Sequence, residues 1–148
     1  MLMDPDFLPR RRLLTAIKNA EHATQQVKDA AVRAAGLTMA QYNVMILLTE
    51  TPGITSAELA RRCFVSPQSM NETVAKLEKA GLIERTPHPL HRHVRETVVT
   101  PAGRILLDEA DDRVLELERL LRDHIPREQQ EVLRDLLATI EALAHGRE

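Results

Sequence analysis

The sequence predicts a mainly α fold, an α+β winged helix-turn-helix with long helices on either side, and three observations predict it. Between Thr55 and Leu82, two short amphipathic segments are separated by a break at Phe64-Val65-Ser66. Two β-prone runs follow, Leu82-Ile83-Glu84-Arg85 and Thr97-Val98-Val99, joined by a tip that carries Arg92 and the histidines His88, His91 and His93. The only aromatic residues are Phe7, Tyr42 and Phe64, so Leu, Ile, Val, Ala and Met must fill the interior, which suits helix packing better than a sandwich.

Each element has a local reason. Residues 1–9 contain two prolines and two aspartates and are expected to fray. A helix is expected from near Pro9 to about Ala35, with Leu13, Leu14, Ile17, Ala20, Val27, Ala31 and Ala34 as its apolar stripe, and Gly36 ends it. Thr38 and Gln41 have the capping-box spacing and open a helix through Leu48. Thr51-Pro52-Gly53 breaks it, and Ile54-Thr55 is expected to add a short strand to the hairpin sheet. Thr55 and Glu58 repeat the capping-box spacing, and Leu59, Ala60 and Cys63 then share one face. Ser66 as N-cap and Pro67 at the first helical position start the next helix, in which Met70, Val74 and Leu77 recur at i, i+4, i+7. Gly81 stands where a left-handed residue closes a helix.

After the hairpin, Thr100 caps and Pro101 begins a helix to about His124. Ile105, Leu106, Ala110, Val114, Leu117, Leu120 and Leu121 are expected on its apolar side, and Asp108, Asp111, Asp112, Glu116 and Arg119 on the opposite one. Pro126 opens the last helix, with Val132, Leu133, Leu136, Leu137, Ile140 and Leu143 as its stripe. Residues 1–148 read as a single domain. One winged module cannot cover three such stripes. Residues 9–36 and 101–146 are therefore expected to form dimerisation helices against a second copy, around a winged helix-turn-helix DNA-binding region over 37–100. A plain intrachain bundle is the other use of the same stripes.

The net charge of −2 is unevenly placed. Residues 54–104 hold eight Lys/Arg against five Asp/Glu, whereas residues 105–148 hold six against twelve. Affinity for phosphate follows the local field, so the central region can meet a duplex while the acidic end points away. Cys63 is the lone cysteine, which excludes an intramolecular disulfide and fits a reducing compartment. Without an apolar run of eighteen residues or a signal peptide, a cytoplasmic protein with no membrane partner is expected.

The run from Leu37 to Thr86 followed by Val98-Val99-Thr100-Pro101-Ala102-Gly103 resembles the multiple-antibiotic-resistance-regulator (MarR) family of bacterial transcription factors. The matching pieces are Leu37-Thr38 with Gln41, Leu59-Ala60, Val65-Ser66-Pro67, Leu77-Glu78 with Gly81-Leu82-Ile83, and Thr100-Pro101-Ala102-Gly103. The resemblance implies a homodimeric regulator on double-stranded DNA, often released by a small molecule, here a small aromatic or phenolic effector.

Short polar side chains near the start of a recognition helix can reach base edges in the major groove. Ser66, Pro67, Gln68, Ser69, Asn71, Glu72 and Lys76 are therefore the expected DNA contacts of that helix, with Arg92, His93 and Arg95 in the wing. A solvated amphipathic helix is the bland reading of the same residues. Family members commonly carry a basic residue where Glu72 stands, and Asp-x-Arg where His91 and His93 flank Arg92. The arginine that enters the minor groove is thus absent from its usual place, and Arg92 or Arg95 is expected to replace it. Three imidazoles within six residues invite a metal, yet a hairpin tip lacks the rigid frame and fourth ligand of a structural zinc, so no metal or cofactor is expected. Facing phosphate, those imidazoles would instead strengthen binding when protonated.

Cys63, on an inward face, is expected to pack rather than react. His22 and Tyr42 lie nearest to where the family's ligand pocket would fall, and ordinary packing accounts for them equally well. With no Gly-rich phosphate loop and no nucleophile elbow, the chain does not read as an enzyme. The rival reading is a winged-helix protein-interaction module without specific DNA binding, favoured by the negative net charge.

Overall fold

The computed structural model describes residues 8–92 and 95–146. Its helices are α1 (Leu13–Ala34), α2 (Met39–Glu50), α3 (Ser56–Arg62), α4 (Pro67–Lys79), α5 (Pro101–His124) and α6 (Arg127–His145). Between α4 and α5 lies an antiparallel hairpin of β1 (Ile83–Pro87) and β2 (Arg95–Val99). Its register pairs Ile83 with Val99, Arg85 with Thr97 and Pro87 with Arg95. Residues 88–92 are the described part of the tip that joins the two strands. Among the described residues, no helix is long and apolar enough to cross a membrane.

Several starts and stops follow directly from side-chain chemistry. At α2, Gln41 N donates to Thr38 Oγ1 at 3.2 Å while Thr38 N donates to Gln41 Oε1 at 2.9 Å, a complete capping box. At α4, Ser69 N donates to Ser66 Oγ at 3.1 Å, and Pro67 leaves one fewer N–H without a partner. Gly36 (φ 88°) and Gly81 (φ 71°) adopt the left-handed turn that ends α1 and α4. Phe64 does the same at the α3–α4 turn with φ 55°, where a bulky side chain is strained.

The structure corrects the sequence reading in four places. Pro9 starts only a 3-10 turn, Pro9–Arg11, and extended Arg12 separates it from α1. Ile54-Thr55 adds no strand to the described sheet, because Thr55 Oγ1 is committed to capping α3, accepting from Glu58 N at 3.2 Å. The capping box there is only half-made, since the Glu58 carboxylate instead accepts from Arg61 Nε at 2.9 Å. On α5 the buried positions are Gly103, Leu107 and Ala110, with Leu106 and Val114 packed beside them, whereas Ile105 is exposed. That inward stripe carries Asp111 with it, so Asp111 is half-buried rather than on the solvent side.

The chain divides into two compact units, one ending at Val114 and the other beginning at Leu115. The first is built round Met45, Leu59, Met70, Leu77, Ile83 and Leu107, all fully buried. Here α3 packs on α4, and α2 packs on α1, α4 and β2. Each such side chain contributes roughly 1.5–3 kcal/mol by leaving water. In the second unit, Gln130 Nε2 donates to the carbonyls of Ile125 (2.7 Å) and Arg122 (3.1 Å), closing the end of α5. α6 has no buried residue, and Val132, Leu133, Leu136, Leu137 and Leu143 all face solvent.

Candidate nucleic-acid interface

α4 sorts its side chains by face. Met70, Val74 and Leu77 are buried, while Pro67, Gln68, Ser69, Asn71, Glu72, Ala75 and Lys76 are exposed. The expected base-reading residues therefore share one solvent face. Within it, Ser66 Oγ donates to Ser69 Oγ at 3.0 Å, so both hydroxyls help to hold the helix start. Gln68 Nε2 points at Glu72 Oε1 at 3.5 Å, a long hydrogen bond that orients the Gln68 amide. That leaves Gln68 with a carbonyl acceptor and a second N–H, the pair that an adenine edge matches. Lys76 adds a cation at the far side of the same face.

The hairpin is bolted to α4 by Thr100. Its Oγ1 donates to Gly81 O at 2.6 Å and accepts from Gly103 N at 3.0 Å, while its own N–H donates to Leu82 O at 3.0 Å. One threonine thus joins the end of α4, the base of the hairpin and the start of α5. Gly103 is required beside it, because a Cβ there would lie 2.0 Å from Leu82 O. The cap was legible from the sequence; the link to Gly81 was not.

At the tip, His88 Nδ1 accepts the N–H groups of Leu90 (3.1 Å) and His91 (3.2 Å). The His88 and His91 rings stack with centroids 5.3 Å apart, and His88 Nε2 lies 4.0 Å from Glu96 Oε2 on β2. His88 is therefore a structural part of the turn and cannot accept these N–H groups once Nδ1 is protonated. Arg92 is exposed; His93 and the side chain of Arg95 lie outside the described residues. Among the described residues, no three His, Cys, Asp or Glu side chains gather as metal ligands.

Behind α4, the Tyr42 hydroxyl of α2 donates to Asp111 Oδ1 of α5 at 2.7 Å, and Lys28 Nζ of α1 sits 5.9 Å from the Tyr42 ring centroid. Burial, and then the bond to Asp111, push the Tyr42 phenol well above its ordinary range. The structure does not bring His22 to this group; it is exposed on α1. Cys63 is half-buried at the end of α3, and burial raises its thiol, with Arg62 opposing more weakly. A cleft of about 380 Å³ opens between α2, β2 and α5, walled by Leu48, Pro52, Val98, Val99 and Pro101, with Arg104 at its side.

The sequence profile of the MarR family matches residues 35–92. The HTH-type transcriptional repressor Rv2887 of Mycobacterium tuberculosis is 36% identical over 83 residues, which is 56% of this chain. The match spans about 60% of the length of that curated relative. Among solved structures, the transcriptional repressor CouR bound to a 23-mer DNA duplex superposes with a TM-score of 0.76 at 27% identity, covering 95% of this chain and 99% of CouR. Rv2887 in complex with p-aminosalicylic acid gives a TM-score of 0.69 at 27% identity, covering 88% and 98%. The matched residues 35–92 run from the end of α1 through the helix-turn-helix into the hairpin tip, and over them the chain is similar to regulators of the MarR family.

Proposed function

We propose that this protein is a transcriptional regulator, a repressor, that binds pseudo-palindromic operator DNA as a homodimer and is released by a small aromatic or phenolic effector. The observation that carries the reading is the exposed polar face of α4, a helix that packs on β1 of the hairpin, in a region with eight Lys/Arg against five Asp/Glu. α4 would enter the major groove with Pro67, Gln68, Ser69, Asn71 and Glu72 towards the bases and Lys76 towards phosphate. Arg92 and Arg95, with His93, would follow the wing into the minor groove. Relatives named as repressors, and the duplex bound by CouR, support this docking mode.

Residues 37–100 form the DNA-reading region in this proposal, and 9–36 with 101–146 form the pairing helices. Pairing is supported by the side chains that α1 and α6 leave in water, among them Leu13 at 77% exposure and Leu143 at 66%. A symmetric dimer would set two copies of α4 about one helical turn apart. The effector would take the cleft walled by Leu48, Val98 and Val99, where Arg104 can meet a carboxylate. The p-aminosalicylic acid bound by Rv2887 has that chemistry. Such a regulator works in the cytoplasm, beside its DNA.

Selecting duplexes from random DNA with the purified protein tests the reading. An enriched inverted repeat is expected, with binding that weakens steeply as salt rises. A protein-interaction module, which the overall charge of −2 favours, would enrich no sequence and hold random and selected duplexes alike.

A further inference from the structure

Leu90, at the outermost turn of the hairpin, is 83% exposed and stands between Pro89 and His91, two residues from Arg92. A leucine in water is unremarkable on a loose loop, but this one is held in place. Its N–H and that of His91 both bond to His88 Nδ1, the two imidazoles stack, and His88 faces Glu96 on β2. Pro87 and Pro89 on either side of His88 restrict the backbone further. The tip is therefore preorganised around a projecting isobutyl group, and fixing it on binding costs little additional order. Nothing else among the described residues of the tip is apolar and similarly exposed, apart from the prolines.

The surroundings identify what could receive it. Arg92 beside it suits a polyanion, and the minor groove, about 6 Å wide, admits a hairpin tip but not a helix. Apolar wedges in that groove part adjacent base pairs and kink the duplex, most easily at pyrimidine–purine steps. We propose that Leu90 is such a wedge: it enters the minor groove next to Arg92, opens one base step in each flank of the site and bends the DNA. The proposal rests on the DNA-binding reading above and adds a deformation that the α4 contacts do not require.

The experiment uses the full-length protein and a duplex selected by it, with 2-aminopurine placed in turn at the flanking adenines and a fluorophore pair on the duplex ends. Wild type should raise the emission of 2-aminopurine at one flanking step several-fold and shorten the end-to-end distance. Leu90→Ala should lose both signals and bind that duplex about tenfold more weakly with an unchanged salt slope, while Leu90→Met should keep them. Arg92→Ala should instead reduce the salt slope by about one and retain the unstacking. A Leu90→Ala protein that bends and unstacks the duplex like wild type overturns the wedge and leaves the DNA-binding reading intact. A wild type that binds no duplex at all overturns both.

Discussion

Replacing Tyr42 by Phe removes one hydroxyl and nothing else from the junction of α1, α2 and α5. The bond lost is 2.7 Å long and runs to a carboxylate, Asp111, across 69 positions of sequence. A hydrogen bond to a charged partner contributes about 1.5–3 kcal/mol net. Asp111 is only half-buried, so water can recapture its oxygen, and the lower part of that range, about 1.5–2 kcal/mol, applies. The Lys28 contact with the ring survives in the variant. For a chain of this size the loss corresponds to a Tm roughly 3–8 °C lower. Urea unfolding at fixed protein concentration measures it, and a double-mutant cycle with Asp111→Asn should return a coupling above about 1 kcal/mol. The sign of the pH dependence follows from the raised phenol. The unfolded chain gives up this proton first, so Tyr42 contributes its full stability below about pH 10 and loses it as pH climbs further. Tyr42→Phe should flatten that alkaline limb. A variant within about 0.5 kcal/mol of wild type, with the alkaline limb unchanged, would refute the argument.

Gly103→Ala should cost at least about 2 kcal/mol in the same unfolding assay, because its Cβ meets the Leu82 carbonyl at 2.0 Å and neither backbone can retreat. Phe64→Gly should go the other way, gaining roughly 0.5–1 kcal/mol, since the ring is 85% exposed and the left-handed φ of 55° no longer strains. Gln68→Ala or Asn71→Ala should cost about 1–3 kcal/mol on the selected duplex and relax its sequence preference, read by competition against random DNA. Cys63 should alkylate with iodoacetamide at neutral pH more slowly than a free thiol, because burial raises it and thins the thiolate. Arg104→Gln should weaken release from DNA by a small aromatic carboxylate such as p-aminosalicylate while leaving DNA affinity in its absence unchanged.

Most of the backbone plan was readable because it is written locally. Thr38 with Gln41, Ser66 with Pro67, and Thr100 with Pro101 each announce a helix start within four residues, and Gly36 and Gly81 announce the ends. The exposed polar face of α4 was readable for the same reason, since a 3.6-residue period assigns Gln68 and Glu72 to one side and Met70 and Val74 to the other. What escaped depends on partners distant in sequence or on a turn's exact shape. Asp111 reads as one acid among several on α5 until Leu107, Ala110 and Val114 are seen to define the inner stripe. Ile54-Thr55 looks like a strand until Thr55 is seen to cap α3. The role of His88 in shaping the tip escaped as well, because composition cannot reveal that a ring nitrogen holds two backbone N–H groups.

The naked surface of α6 carries a lesson for genetics. With none of its residues buried in the single chain, this helix would, in the proposed dimer, take its shelter from another copy, whatever that copy's competence at reading DNA. A chain damaged only in the exposed face of α4 would still offer an intact α6, recruit a healthy sister chain and leave half of the operator unread. Such lesions should be dominant when both alleles are expressed together. Charges introduced at Val132, Leu136 or Leu143 should behave oppositely. They would withdraw the damaged chain from the pool, sparing its sister, and so be recessive.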